Sequence, residues 1–371
     1  MSTHTAVVTV SIGAPLQTLQ VPTVKPEKDE VRVRVEWTAS SPLDLHQNDG
    51  GLLVTHPQIL GDTIAGRVVE VGNEGDVGGL RVGDWVFGFT YRSQKEKAQQ
   101  EFVTLPWFLL GKIPDGIPPQ EAVALPSSFV TVFHTATAEL GLELPWPKPE
   151  GFVPVHRDKC ILIWGGSSSV GQYAIQILTY YGYTNIITTA SKTHHALLRK
   201  FGAVHTFDYR DDDITDAILR SAELINQERK ESLIPFILDC IGSKQGSLAP
   251  LSKIAQNGAR VAILLPVIVR DAGVDVSPEY SMDVDVSAQW VEGVETRGVR
   301  THFYLDNKFF KEKLQPEIMP DLLAKGVVQL NRIKVVEGEA LLERAQKALD
   351  ALRRRENSGE RLVWRVAGGG V

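Results

Sequence analysis

Residues 160–171 read Cys-Ile-Leu-Ile-Trp-Gly-Gly-Ser-Ser-Ser-Val-Gly. A short apolar run, Cys160 to Trp164, stops at Gly165 and Gly166. Ser167, Ser168 and Ser169 follow, then Val170, Gly171 and a helix-forming stretch from Gln172 to Tyr181. Strand, small-residue turn and helix form the order that a nucleotide pyrophosphate needs. A helix start offers N–H groups without intrahelical partners and the positive end of the peptide dipole. Side chains no larger than serine let the phosphates reach the backbone. The spacing Gly166-x-Ser168-x-x-Gly171 matches the fingerprint G-x-G-x-x-G with serine in the middle place. Such a fingerprint carries weight only between a strand and a helix, which is its context here. The alternative is a strand-to-helix turn that is merely tight.

The identity of the dinucleotide is read one strand later. A carboxylate about 20 residues after the glycine loop grips the ribose hydroxyls in NAD sites. Here the second strand, Ile186 to Ala190, ends in Ser191-Lys192. Ser191 can donate a hydrogen bond, Lys192 brings positive charge, and no acid repels a 2′-phosphate. NADPH is therefore expected; the alternative is that Lys192 is an ordinary solvated lysine at a helix start.

These residues need a parallel sheet to hold them, and the pattern after residue 160 supplies one. Strand-like and helix-like stretches alternate: 160–164 with 172–181, 185–190 with 194–201, 204–207 with 214–227, 236–241 with 246–254, then 260–265. Alternation of this kind implies a sheet covered on both faces. Residues 266–310 are less regular. The first 130 residues are instead β-rich. Strands are expected at 7–12, 31–37 (VRVRVEW, alternating), 62–72, 85–88 and 101–105, and Ser40–His46 is a turn into a short helix. At 122–140 the apolar period becomes helical, with Pro126 near a bend, which marks the change of domain. At the far end, 320–323, 333–336, 339–354 and 361–366 complete the chain. Residues 339–354 form an amphipathic helix with acids early and bases late, as its dipole favours. The terminal GGGV reads as a frayed end.

Composition narrows the classes. With 371 residues, two domains are the default. A net charge of −6 gives no reason to expect nucleic acid or an anionic membrane as partner. No apolar run approaches the roughly 18 residues of a membrane span, and the N-terminus lacks the pattern of a signal peptide. The two cysteines, Cys160 and Cys240, sit in apolar runs and read as core thiols. A cytoplasmic location is expected.

With these stretches placed, the chain resembles the medium-chain dehydrogenase/reductase superfamily over nearly its whole length. The segments that carry the likeness are GDTIAGRVVEVG, RVGDWVFG, ALPSSFVTVFHTA, ILIWGGSSSVGQYAIQI, KFGAVHTFDYRDDD, ILDCIGS and NSGERLVWRV. The resemblance implies a GroES-like β-domain built from both chain ends (1–130 and 311–371) around a doubly wound α/β Rossmann domain (131–310), with a nicotinamide cofactor in the cleft. The catalytic Cys, Gly-His-Glu and second Cys of the zinc alcohol dehydrogenases fall at Ser41, at Gly61-Asp62 and at Ser127. The four-Cys structural zinc lobe has no counterpart. Hydroxyls and one carboxylate suit zinc poorly, so no metal is expected.

The chain is thus similar to the zinc-independent quinone oxidoreductase and enoyl reductase branches. WGGSSSVG and SSPLDLH in particular look like fungal enoyl reductases acting in trans with polyketide synthases. Tyr209 matches a place where the quinone-reductase branch sets a tyrosine on the 2′-phosphate. The expected cofactor residues are Gly165, Gly166, Ser167, Ser168, Ser169, Val170, Gly171, Ser191, Lys192, Tyr209, Ile241, Gly242, Leu264 and Leu265. Leu264, Leu265 and the 266–305 stretch, with Phe303 and Tyr304, are candidates to wall an acceptor pocket. The tyrosine acid of some enoyl reductases is missing from 48–54. Water, another side chain or a quinone acceptor that needs no acid are the alternatives. Ser41, Asp44, His46, Asp62, Ser127 and Thr131 are candidates for the cleft, with Ser41, Asp44 and Thr131 the catalytic candidates. Asp44 reads more readily as the cap of the short helix. Three readings remain open: an NADPH-dependent reductase of an enoyl thioester or enone, small or carrier-bound, with a polyketide synthase as possible partner; a quinone reductase; and a non-catalytic NADPH-binding or sensor protein. Monomer and homodimer are both open.

Overall fold

The computed structural model describes residues 2–73, 75–225, 232–273 and 276–367. The chain divides into two compact units. One comprises Met1–Val130, Ala272–Pro278 and His302–Val371; the other comprises Thr131–Asp271 and Glu279–Thr301. Residues 302–310, grouped by sequence with the nucleotide-binding segment, thus pack in the first unit.

The first unit opens with β1 (Thr3–Thr9), β2 (Gln17–Pro22), β3 (Glu30–Ser40), α1 (Pro42–Gly50), β4 (Gln58–Ile59), β5 (Thr63–Val71), β6 (Trp85–Phe89), β7 (Phe102–Pro106) and β8 (Gly111–Lys112). β1 starts four residues earlier than the apolar run suggests. Its register with β2, Thr3 opposite Pro22 through Val8 opposite Gln17, recruits polar residues that the hydrophobic pattern does not mark. β3 follows its alternation: Val31, Val33 and Val35 are fully buried while Arg32 and Arg34 lean outward. It is the hub of the larger sheet, paired antiparallel with β5 and β7.

α2 (Pro119–Ala122) and α3 (Pro126–His134) follow, then a π-helical turn over Thr135–Glu139. The helical region read over 122–140 is interrupted near Pro126, where a bend is expected. Pro126 cannot donate an N–H, and it opens α3.

The second unit carries β9 (Cys160–Trp164), α4 (Ser169–Tyr181), β10 (Asn185–Thr189), α5 (His195–Phe201), β11 (His205–Phe207), α6 (Ile214–Ile225), β12 (Phe236–Asp239), α7 (Ala249–Ile254), β13 (Arg260–Leu264), the small antiparallel pair β14 (Val267–Arg270) and β15 (Glu279–Ser281), and β16 (Glu295–Val299). Residues 226 and 227, read as the end of the third helix of this segment, lie outside the described residues, as does the terminal GGGV. The sheet order is β11-β10-β9-β12-β13-β16, and every pairing in it is parallel. Strand order therefore reverses between β9 and β12, which makes a crevice beyond the carboxyl ends of those strands. β16 has no clear signal in the sequence, because this edge strand keeps Glu295 and Arg297 on its exposed side. The core beneath one face includes Leu162, Trp164, Ile187, Ile218, Ile237, Leu251 and Ile263. β9 is buried at all five positions, as a strand covered on both faces must be.

The return segment adds α8 (Lys308–Lys313), α9 (Met319–Ala324), β17 (Arg332–Val335), α10 (Leu341–Arg353) and β18 (Glu360–Arg365) to the first unit. β18 lies antiparallel to β3, with Val363 opposite Ala39 and Trp364 opposite Thr38. The larger sheet, β17-β18-β3-β5-β6-β8 with β7 also on β3, is thus made from both ends of the chain. No helix among the described residues is long and apolar enough to cross a membrane.

Candidate active site

The glycine loop sits where the parallel sheet reverses. Gly165 has φ +84°, and its N–H donates to Thr189 Oγ1 at 3.0 Å. Gly166 donates to the Thr189 carbonyl at 2.8 Å. A Cβ on Gly166 would lie 2.0 Å from Thr188 Oγ1, and one on Gly171 would lie 2.5 Å from the Gly165 carbonyl. These two glycines are therefore required by the packing of loop, strand and helix against each other. Ser168 caps α4: its Oγ accepts from the Gly171 N–H at 3.1 Å. Its own carbonyl accepts the first intrahelical bond, from Gln172. Gln172 Nε2 holds the Ser167 carbonyl at 2.8 Å. The N–H groups of Ser169 and Val170 precede that first bond, so the helix start presents donors suited to an anion.

The ends of the next two strands bring Ser191, Lys192 and Tyr209 to the same edge. Asp208 orders them. Its carboxylate accepts from the Lys192 N–H at 3.4 Å and from the Arg210 N–H at 3.1 Å. It also takes a fork from Arg210, Nε to Oδ1 at 3.0 Å and Nη2 to Oδ2 at 3.2 Å. That guanidinium holds the Asp208 carboxyl down at about 2. The Arg210 guanidinium carbon lies 5.2 Å from the Tyr209 ring, which is itself 48% exposed. Lys192 Nζ reaches Asp211 at 3.3 Å in an exposed pair. Sequence reasoning did not single out Asp208 and Arg210, although both lie in FDYRDDD beside Tyr209.

A third turn completes the edge. Asp239 ends β12 and is fully buried; burial pushes its carboxyl up to about 6. It accepts from the N–H groups of Ile241 and Gly242, at 2.9 and 3.2 Å, and from the Ser247 hydroxyl at 2.6 Å. The turn so fixed sets Ile241 against Gly165, where a Cβ would lie 2.6 Å from Ile241 Cδ1. Gly242 has φ +63°, and a Cβ there would meet the Leu264 carbonyl at 2.6 Å. Gly165, Ile241, Gly242 and Leu264 are thus side by side across the reversal point. Thr131, in the same unit, is buried with its hydroxyl 3.0 Å from that of Thr301.

Ser41 and Asp44 belong to the first unit, in a buried polar cluster. Asp44 accepts from the Ser41 N–H and from the Gly61 N–H, both at 3.0 Å. It therefore caps α1 and staples the 60–62 turn at once. Burial, then the charge of Asp62, pushes its carboxyl up to about 7. Ser41 Oγ is buried without a partner. Asp62 accepts from the Thr63 hydroxyl at 2.9 Å. Arg361 Nη2 approaches Ser127 Oγ at 3.5 Å, and its charge also acts on Asp44. Lys97 and His302 complete the cluster, both with pKa values lowered by burial. Tyr91 donates to the His302 carbonyl at 2.6 Å and packs its ring edge-on, 4.6 Å from the imidazole. Among the described residues no group of three or more His, Cys, Asp or Glu is arranged to hold a metal ion. Tyr304, considered for a pocket wall, is fully buried, with its hydroxyl accepting from Gln315 at 2.7 Å, so it is a core residue; Phe303 is 54% exposed.

Comparison with known proteins bears on both units. The family described as alcohol dehydrogenase GroES-like domain matches residues 27–132. The trans-enoyl reductase himH of Aspergillus japonicus is 29% identical over 333 residues, covering 87% of this chain and 86% of that one. The trans-enoyl reductase tazE of Aspergillus terreus is 30% identical over 255 residues, covering 67% and 79%. Among solved structures, the quinone oxidoreductase from Coxiella burnetii superposes with a TM-score of 0.72 at 19% identity, over 99% of this chain and all of that one, which establishes the shared fold.

Proposed function

The chain is an oxidoreductase of the medium-chain dehydrogenase/reductase superfamily, and from that premise we propose that it is a zinc-independent, NADPH-dependent reductase of an activated C=C bond, an enoyl thioester above all. The observation that carries the reading is the carboxyl edge of the parallel sheet. A glycine cradle with a capped helix start stands there beside strand ends that carry Ser191, Lys192, Tyr209 and Arg210.

The cradle fits a dinucleotide by the free N–H groups at the start of α4, on a turn that Gly166 and Gly171 keep tight. Residues Gly165 to Gly171 would hold the pyrophosphate on N–H groups. Ser191, Lys192, Tyr209 and Arg210 would hold the 2′-phosphate. Lys192 and the part of the Arg210 guanidinium not forked on Asp208 would offer donors to a phosphate, and no carboxylate ends β10 to compete for the ribose hydroxyls. Ile241, Gly242, Leu264 and Leu265 would flank the nicotinamide half, where Asp239 keeps their turn rigid. Bound there, the cofactor supplies a hydride to an electron-poor carbon.

Ser41, Asp62 and Ser127 offer two hydroxyls and one carboxylate in place of thiolate and imidazole, and Asp62 already accepts from Thr63. This donor set supports chemistry without zinc. Among the catalytic candidates, Asp44 has both oxygens committed to backbone N–H groups, so its role is to position the 41–44 and 60–62 segments. Ser41 Oγ keeps its hydrogen-bonding capacity for an acceptor, and Thr131 positions through Thr301. The likeness to trans-enoyl reductases supports an acceptor presented by a separate synthase of the polyketide class.

The test is consumption of NADPH with a crotonyl thioester, a simple enone and a benzoquinone, with NADH in parallel and with EDTA or added zinc. Turnover of the thioester with NADPH, indifferent to chelation, is expected. Turnover of the quinone alone, a preference for NADH, or loss of activity in EDTA each removes one part of the reading.

A further inference from the structure

The buried groups around the 60–62 turn include one that cofactor binding does not use. Lys97 follows the short turn Gln94–Glu96 and is 8% exposed. Its backbone is fixed on both sides. The carbonyl accepts from Gln100 Nε2 at 2.8 Å, and the next residue, Ala98, donates its N–H to the Gly61 carbonyl at 3.1 Å. The side chain is thereby held in the field of Asp62, Asp44 and Glu96, with His302 also close enough to feel its charge.

Among the described residues the Lys97 ammonium nevertheless has no hydrogen-bond or ion-pair partner. The carboxylates around it are engaged elsewhere. Glu96 is forked by Arg92, at 2.7 and 3.2 Å. Asp44 spends its oxygens on Ser41 and Gly61, and Asp62 accepts from Thr63. Three polar atoms of these surroundings are buried and unpartnered: Ser41 Oγ, Thr90 Oγ1 and Gln99 Oε1. Each belongs to the same small region, since the Thr90 N–H donates to the Asp62 carbonyl and the Gln99 N–H to the Leu60 carbonyl. Lys97 is nearly buried, yet its ammonium spends none of its N–H donors on a protein partner, so they stay available to a group that enters there.

We propose that Lys97 is the acid of the reaction, delivering the proton that completes reduction of the acceptor's C=C bond. This rests on the reductase reading above. A hydride adds to the β-carbon, and the electron pair of the C=C bond moves toward the α-carbon and the thioester oxygen. An N–H bond of the ammonium then breaks as the α-carbon forms its new C–H bond. Lys97 is left as a neutral amine and takes its next proton from water. Asp62 and Asp44, with Glu96 behind them, favour the charged amine, whereas burial lowers its pKa below the ordinary lysine range. That places the acid nearer the working pH than a surface lysine would be, where general acids are most effective. His302 is kept neutral by burial and does not compete for the role.

The experiment reduces a 2-methylcrotonyl thioester, whose product has a stereogenic α-carbon, with the full-length wild type and with Lys97→Met and Lys97→Arg. Melting temperature and NADPH affinity are measured beside it, to show that the variants are folded. The wild type should give one α-configuration, with a rate that falls as pH rises through the lowered lysine pKa. Both variants should bind NADPH, lose about 100-fold in rate, lose that alkaline limb, and give both α-configurations. Folded variants that keep the single configuration and the wild-type pH profile overturn the role of Lys97 while leaving the reductase reading in place. A wild type that reduces no activated alkene overturns that reading, and the proposal with it.

Discussion

The two polar regions of the molecule are built on opposite principles. At the carboxyl edge of the parallel sheet, backbone N–H groups and glycines do the shaping, and the charges stand at the rim. Arg210 and Lys192 are more than half exposed, each with a carboxylate beside it. In the first unit the ionisable groups are inside. Asp44, Asp62 and Lys97 are each less than a tenth exposed, and the ammonium has no partner. A rim of paired charges is inexpensive and adaptable, which suits the recognition of a phosphate. Buried, unmatched charges lower stability and shift protonation, which suits proton transfer.

The largest test of that contrast is the pH dependence of stability. Asp44 has a folded pKa of about 7, above its ordinary value of 3.8. Between those values the native state holds a proton that the unfolded chain has released. The contribution of Asp44 is therefore fully present below about pH 4 and is lost as pH rises through 7. The slope is about 1.4 kcal/mol per pH unit, or on the order of 4 kcal/mol over the window. Asp239, at about 6, adds a smaller effect of the same sign. Urea midpoints measured from pH 4 to 8 should fall with pH, and Asp44→Asn should flatten most of the fall. A midpoint that rises over that range would contradict a buried, protonated Asp44.

Next in size is the glycine cradle. Gly166→Ala puts a methyl group 2.0 Å from Thr188 Oγ1, a stiff and fully buried side chain that itself donates to the Ile163 carbonyl. A loss of about 2–3 kcal/mol in stability is expected, with at least a tenfold loss of NADPH affinity. Calorimetry and cofactor titration read the two separately. The rim comes third. Lys192→Glu should cut the preference for NADPH over NADH by about 10- to 100-fold, or 1.4–2.7 kcal/mol, with little change in melting temperature. The smallest effect belongs to Asp211→Asn, which removes only the exposed partner of Lys192. Stability should move by less than about 0.5 kcal/mol. An effect of several kcal/mol there would mean that the rim is not the adaptable surface described.

The same contrast explains what the sequence discloses. The cradle is legible because its constraints are local: Gly165-Gly166, the serine cap and Gly171 act within one turn of each other, and strand and helix periodicity frames them. β3 and β9 are legible for the same reason, from alternation and from an unbroken apolar run. The first-unit cluster is assembled from residues far apart, 41–44, 61–62, 97, 302 and 361, through sheet pairings that no spacing encodes. Lys97 in QKEKAQQ looks like one more solvated lysine. Its neighbour Ala98 donates to the Gly61 carbonyl, a pairing that no local pattern announces. Asp239 at least lies within a recognisable segment, ILDCIGS, but its burial follows from the sheet order. β16 was hidden by exposed, charged residues, and no periodicity in the aromatic stretch 302–310 marks its grouping with the first unit.

The central claim, that this chain moves a hydride from a nicotinamide to an activated alkene, is tested most directly by following the hydride itself. Crotonyl thioester is reduced with NADPH deuterated at the transferable C4 position, and the product is analysed by mass and NMR. The account predicts a saturated thioester with one cofactor-derived deuterium on the β-carbon. No saturated product, or a β-carbon without the label, while NADPH binds normally to the cradle, would contradict it.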